Sequence, residues 1–157
     1  MQPAGLNRRV IAWILDGVLL GLVFVPLNLY VLSRAIASRD IETLVLGQLV
    51  GSAVTLAYFA FLWNRFGASL GQRVLGLRTL ATDGSRLRLE RGVVRWAGLY
   101  GVNQLLVGLG AIVTSGPSVF PLASLAWSLY LYFKAKGDPQ RRGPHDHWAE
   151  SIVVRGA

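Results

Sequence analysis

From Val10 to Leu32 the chain runs 23 residues with a single charge, Asp16. A bilayer core about 30 Å thick is crossed by about 20 helical residues, so this stretch is long enough to span a membrane as a helix. The segments 44–63 and 96–113 carry no charge at all, and 119–133 adds a shorter apolar run. Composition fits the same reading. Hydrophobic residues are 53% of the 157 and charged residues 15%, against about 25% charged in an ordinary soluble domain. The abundance of large apolar residues excludes a disordered chain, and the absence of cysteine excludes a disulfide scaffold or a thiolate zinc site.

The basic residues order these segments. Cytoplasmic flanks of membrane helices carry the Lys/Arg excess. Arg8 and Arg9 precede the first segment, and seven arginines lie between the second and third, from Arg65 to Arg95. Lys134, Lys136, Arg141, Arg142 and Arg155 follow the fourth. With four spans and both termini cytoplasmic, fourteen of the 16 basic residues fall on one side, and only Arg34 and Arg39 on the other. Three spans would nearly erase the bias. The expectation is therefore an all-α polytopic membrane protein of a single domain, residues 1–157. It has four transmembrane helices, at about 10–32, 44–63, 96–113 and 119–133, with a cytoplasmic loop 64–95 and tail 134–157. The first helix is longer than a signal core and lacks a small-residue cleavage pattern after it, so it is read as retained. Tyr30, Trp63, Trp96, Tyr130 and Tyr132 fall near span ends, where interfacial aromatics belong.

The middle loop holds Asp83-Gly84, a strong hairpin signal. Leu75, Leu77 and Thr79 alternate with polar or small residues before it, and Leu87 and Leu89 alternate with arginines after it. A small cytoplasmic β-hairpin is expected there, with 151–154 as a possible additional strand. The loop's arginines favour anionic lipid headgroups. Topology and lipid attraction account for them, so no nucleic-acid partner is expected.

Asp16 stands roughly 9 Å along the first helix from Val10, and an intramembrane carboxylate is costly and usually paired. It can serve as an ion-pair partner of Arg9, seven residues earlier on the same face, or of Arg95 at the start of the third span. It can equally titrate or bind a cation in transport. Gln48, Ser52, Asn103 and Gln104 are further polar residues within the spans, able to hydrogen-bond between helices or, with Asp16, to line an ion path. Gly17, Gly21, Gly47 and Gly51 have the spacing that permits close helix approach or a homo-oligomer. Pro26 would kink the first helix, and Pro121 sits in the first turn of the fourth. His145-Asp146-His147 lacks the third ligand that a metal site needs, and Asp146 can instead accept from an arginine or a helix N-terminus. No nucleophile elbow, phosphate loop or paired-carboxylate site is present, so neither an enzyme nor a cofactor is expected.

Taken in order, three motifs resemble those of the RDD family of bacterial membrane proteins. Arg8-Arg9-Val-Ile-Ala-Trp-Ile-Leu-Asp16 resembles its arginine and first aspartate, Arg9 being the better match. Gly67-Ala-Ser-Leu-Gly-Gln-Arg-Val-Leu-Gly-Leu-Arg-Thr79 resembles its loop, with Gln72 where the family has Lys. Pro144-His-Asp146-His-Trp-Ala-Glu-Ser151-Ile-Val-Val154 resembles its terminal stretch, with Pro144 for Leu and Ser151 for Thr. The resemblance implies a bacterial inner-membrane protein and does not name an activity. The function expected is that of a structural or accessory subunit of a membrane complex, with Arg9, Asp16, Arg95 and Asp146 as a cytoplasmic polar network. The alternative is an ion or proton-coupled transporter using Asp16.

Overall fold

The computed structural model describes residues 2–38, 41–113 and 119–156. The expected connection at 114–118 and the charges Arg39 and Asp40 lie outside them. The described chain is mostly helical. The long helices are α1 (Leu6–Ser38) and α2 (Ile41–Phe66), followed by the short α3 (Leu70–Val74) and the strand β1 (Leu77–Ala81). Helix α4 (Leu89–Trp96) runs through one π-helical turn, Ala97–Gly101, into α5 (Val102–Val113). Helix α6 (Phe120–Gly137), the short α7 (Pro144–Trp148) and the strand β2 (Ser151–Arg155) complete the order.

Two helices are long and apolar enough to cross a membrane, Leu6–Leu27 within α1 and Glu42–Phe66 within α2. A soluble protein's core helix can meet that test, but it does so by being buried. Here only 11% of the first apolar window and 17% of the second lie inside the protein. Leu22, Val23 and Leu29 of α1 and Leu46 and Leu49 of α2 are all more than half exposed. Surface of this kind in water would be an aggregation hazard; facing lipid it has no such cost. Pro26 lies inside α1 without ending it.

The polar end of the molecule is built differently from the expected hairpin. The turn forms at Asp83-Gly84, where Gly84 has φ of 86° and Ser85 N–H bonds the Asp83 carboxylate at 2.8 Å. The second arm does not form a strand. A single bridge joins Leu80 to Arg86, after which Arg88 becomes the extended N-cap of α4. The partner of β1 is instead β2, antiparallel, with Thr79 opposite Val153. Residues 2–4 close the other edge of β2: Ala4 N–H donates to the Val153 carbonyl at 2.9 Å, and Arg155 N–H to that of Gln2 at 3.2 Å. A two-stranded ribbon alone is marginal. This one is held by a small core in which Ala4, Ala12, Leu77 and Val153 are all essentially inaccessible. The ribbon therefore ties the start of α1 and the C-terminal tail to the middle loop.

A second core, of Phe59, Trp63, Ala81 and Leu87, joins α2 to this layer, with Tyr100 stacked on Phe59 at 4.3 Å. Two of the expected interfacial aromatics thus turn inward: Trp63 is 1% exposed, and Trp96 packs against the same core. Tyr30 and Tyr130 remain exposed. The glycines expected to permit close helix approach also differ. Gly17, Gly21 and Gly51 have open space where a Cβ would stand, whereas at Gly71 a Cβ would come 2.2 Å from the Ala12 carbonyl oxygen. The tight packing lies at the polar end.

Val153→Asp should therefore unfold the ribbon, because it places an unpaired carboxylate in a sealed apolar site, where an unpaired charge is strongly disfavoured. The measurement is the thermal unfolding midpoint in detergent. A large drop is expected for Val153→Asp, and little change for the exposed neighbour Arg155→Gln.

Candidate functional site

Asp146 is the third residue of α7, in the turn that follows α6. Its side chain is fully buried. Its Oδ2 accepts from the Gly143 N–H at 2.9 Å, closing the start of its own helix. The same oxygen accepts from Arg9 of α1 at 2.5 Å, and Oδ1 accepts from Arg95 of α4. Arg95 is 2% exposed, also donates to Ser151 Oγ at 2.7 Å, and lies 4.9 Å over the Trp63 ring. Arg9 donates as well to the Arg141 carbonyl. One carboxylate thus gathers two guanidiniums from helices far apart in sequence. With His145 neutral, this cluster has a net charge of +1.

His145 is buried beside the same groups, its Nε2 3.5 Å from Asp146 Oδ2. Burial first, then the Arg95 and Arg9 guanidiniums and His147, hold its imidazole well below the ordinary histidine range. His147 faces elsewhere. It is about half exposed and pairs with Asp138 at 3.2 Å, whose other oxygen accepts the Gln140 and Arg142 amides. The two histidines therefore do not converge. Among the described residues no group of three His, Cys, Asp or Glu side chains could hold a metal.

Asp16 does not join this cluster. It lies about 10 Å further along α1 than Arg9, by helical rise, and meets a different neighbour, the start of α3. Ser69 Oγ donates to Oδ2 at 2.5 Å; Gly71 N–H and Tyr58 Oη donate to Oδ1 at 2.7 and 2.8 Å. Its partners are neutral donors rather than the arginines expected. Gly71 is required because its backbone must reach the carboxylate where α1 and α3 touch. Ser69 caps α3 in a capping box with Gln72. Gln72 Oε1 accepts from Ser69 N–H, Trp63 Nε1 and Thr79 Oγ1, at 3.0, 3.1 and 3.0 Å. A lysine, which has no acceptor, could not take that place.

The expected ion path is divided between two cavities. Asp16 and Asn103 line one of about 190 Å³, together with Arg9, Arg95 and His145. Gln48 and Gln104 line another of about 720 Å³ between α1, α2 and α5. Gln48 bonds the Gln104 side chain at 2.5 Å and its carbonyl at 3.0 Å, tying α2 to α5. Asn103 ties α5 to α6 through Ser124 and Ser128. Tyr58, Ser69, Gly71, Gln72 and Ser151 are the site residues that sequence reasoning missed. The Ser-x-x-Gln spacing of 69–72 is the signal that could have found the cap.

The family model described as the RDD family matches residues 3–150. No curated protein and no solved structure matches the chain. The matched stretch contains Arg9, Asp16 and Asp146, all three of which are buried or nearly so in the site.

Removing one partner of a buried ion pair costs about 3–5 kcal/mol, because the other charge is left uncompensated. Asp146→Asn strands two guanidiniums and should cost that much. The double variant Arg9→Gln/Asp146→Asn should cost clearly less than the sum of the single changes, as contacting groups do; calorimetric or fluorescence melts of the four proteins give the cycle. A second expectation concerns pH. The folded state holds His145 neutral with a lowered pKa, so the unfolded chain binds the proton more readily. Its contribution is complete above the unfolded value of about 6.5 and is lost as pH falls below it, at up to about 1.4 kcal/mol per pH unit. The unfolding midpoint of the wild type should fall on acidification from pH 7 to 5, and His145→Gln should flatten that fall.

Proposed function

The chain belongs to the RDD family, and from that premise we propose that it is a multi-pass inner-membrane protein acting as a structural or accessory subunit of a membrane complex. In this reading α4 with α5, and α6, supply the third and fourth spans, both termini are cytoplasmic, and the ribbon with the two carboxylate clusters forms a cap on the cytoplasmic side. The observation that supports it is that both oxygens of each of these buried acids accept from the chain's own donors. Asp146 is taken by two guanidiniums and an amide, and Asp16 by two hydroxyls and an amide. Groups used in this way hold elements together.

The alternative, an ion or proton-coupled transporter, draws on one observation: Asp16 lines a cavity with Asn103. The two readings differ in what Asp16→Asn does. As a structural acceptor, Asp16 cannot be replaced by Asn without turning one of its two acceptor oxygens into an NH2 that faces a donor, so the variant should lower the unfolding midpoint and the yield of monodisperse protein. Purification of the wild type in mild detergent should also retain a stable heteromeric membrane partner. A variant that folds and assembles normally, yet abolishes cation or proton flux in reconstituted vesicles, would overturn the accessory reading in favour of transport.

A further inference from the structure

The cavity beside the Asp146 cluster has an uneven wall. Its polar lining includes Arg9, Arg95, His145 and the carboxylate of Asp16, and the remainder is mainly apolar, with Val10 and Trp13 of α1 and Leu131 and Ala135 of α6. Two buried nitrogens of that polar lining, Arg95 Nε and His145 Nδ1, have no hydrogen-bond partner among the described residues. A buried donor left without a partner costs about 1–3 kcal/mol, more when charged, so a guanidinium N–H in this position calls for an acceptor. The described donors and acceptors of the chain leave it none. Asp146 already takes the Nη1 edge of Arg95, and Asp16 on the same wall has its oxygens engaged by Tyr58, Ser69 and Gly71.

The mouth of the cavity indicates the source of that acceptor. Val10 and Trp13 are 37% and 47% exposed, on the outward apolar face of α1. Helix α6 packs chiefly on α5 and α7 and α1 on α2 and α3, so the two walls meet across a cleft rather than a packed seam. An apolar cavity of about 150 Å³ takes a molecule the size of benzene, and one of about 190 Å³ admits a headgroup oxyanion with the first carbons of a chain. The occupant best matched to an exposed apolar mouth and an inner guanidinium N–H without an acceptor is an amphiphile with an anionic head.

We propose that the cleft between α1 and α6 is a binding site for an anionic membrane lipid, whose headgroup oxyanion accepts from Arg95 Nε. The inference rests on the membrane placement proposed above, but a detergent micelle has no sides, so its test is independent of topology and of any protein partner. Failure here would leave the accessory reading standing.

The test uses the full chain, delipidated in neutral detergent, and native mass spectrometry with added phosphatidylglycerol or phosphatidylcholine. One phosphatidylglycerol per chain should be retained at activation energies that strip phosphatidylcholine. Val10→Trp, which fills the mouth from its exposed wall and leaves the arginines untouched, should abolish that selectivity with no drop in unfolding midpoint. Arg95→Lys keeps the charge but removes the Nε donor, and should weaken retention about tenfold, the scale of one charge-assisted hydrogen bond. If Arg95→Lys does not fold, Val10→Trp decides alone. Equal retention of the two lipids, or unaltered selectivity in Val10→Trp, would overturn the proposal. So would inorganic phosphate that raises the unfolding midpoint as much as phosphatidylglycerol does, since the site would then serve a free anion.

Discussion

Everything at the polar end depends on one carboxylate being shared by two arginines. Asp146 belongs to the tail, Arg9 to the first turns of α1, and Arg95 to the end of α4. No local rule brings these three together, and a buried guanidinium is costly unless it is both paired and hydrogen-bonded. The arrangement meets both conditions for Arg9, through Asp146 and the Arg141 carbonyl, and nearly meets them for Arg95, through Asp146, Ser151 and the Trp63 face. Such a pair adds little net stability compared with an apolar contact of equal size. It does select strongly among alternatives, because any other packing leaves a charge stranded. With the tail held to α1 and α4 in this way, β2 lies next to β1.

The second carboxylate is connected to the first without touching it. Arg95 covers Trp63; Trp63 Nε1 donates to Gln72 Oε1; the same oxygen accepts from the Ser69 amide; and Ser69 Oγ donates to Asp16. The path therefore runs from the tail, through α4, α2 and the start of α3, to Asp16 about a third of the way along α1. Its central atom is one amide oxygen with three donors around it. The glutamine at 72, which departs from the lysine of the resembled pattern, suits this position because the position requires an acceptor. Its neighbours also match it, since Thr79 supplies a hydroxyl and Trp63 an indole N–H.

Much of this was legible in the sequence because charges in an apolar chain are conspicuous. Arg9, Asp16 and Asp146 stand out by position, and Asp83-Gly84 announces its turn. What was not legible depends on neutral groups and on distance along the chain. The hydroxyls and amide that hold Asp16 belong to residues of ordinary type, and the Gly71 contact spans 55 positions. Asp16 was therefore expected to pair with an arginine, the visible partner, when three neutral donors suffice. The hairpin's second arm does not form for a related reason. Arg86-Leu-Arg-Leu89 alternates like a strand, but alternation over four residues also fits an extended N-cap followed by a helix, and Leu89, Val93 and Trp96 supply helical spacing. The strand that does pair with β1 is the additional one expected at 151–154, which takes the place of the hairpin's second arm, and a single sequence carries no register for that pairing.

The distribution of close contacts bears on what the apolar half of the molecule is for. Several glycines that admit a close neighbour, among them Gly71, Gly98 and Gly143, serve the polar end, where a Cβ at Gly98 would come 2.9 Å from both His145 and Trp148, while a Cβ at Gly108 of α5 would meet Gln48 of α2 at 3.2 Å. Gly17, Gly21 and Gly51, deep in the apolar stretches, meet nothing within the chain. The closest approaches are thus mostly at one end, and the long outward faces of α1 and α2 are left almost wholly unburied. In lipid such faces need no partner to be stable, because hydrocarbon solvates leucine as well as another leucine does. The polar end fixes where the adjoining ends of these helices meet, and the Gln48–Gln104 and Asn103–Ser124 bonds add ties between the helices themselves. A cleft can then remain between α1 and α6, and its charged inner end stays where the ion pairs put it.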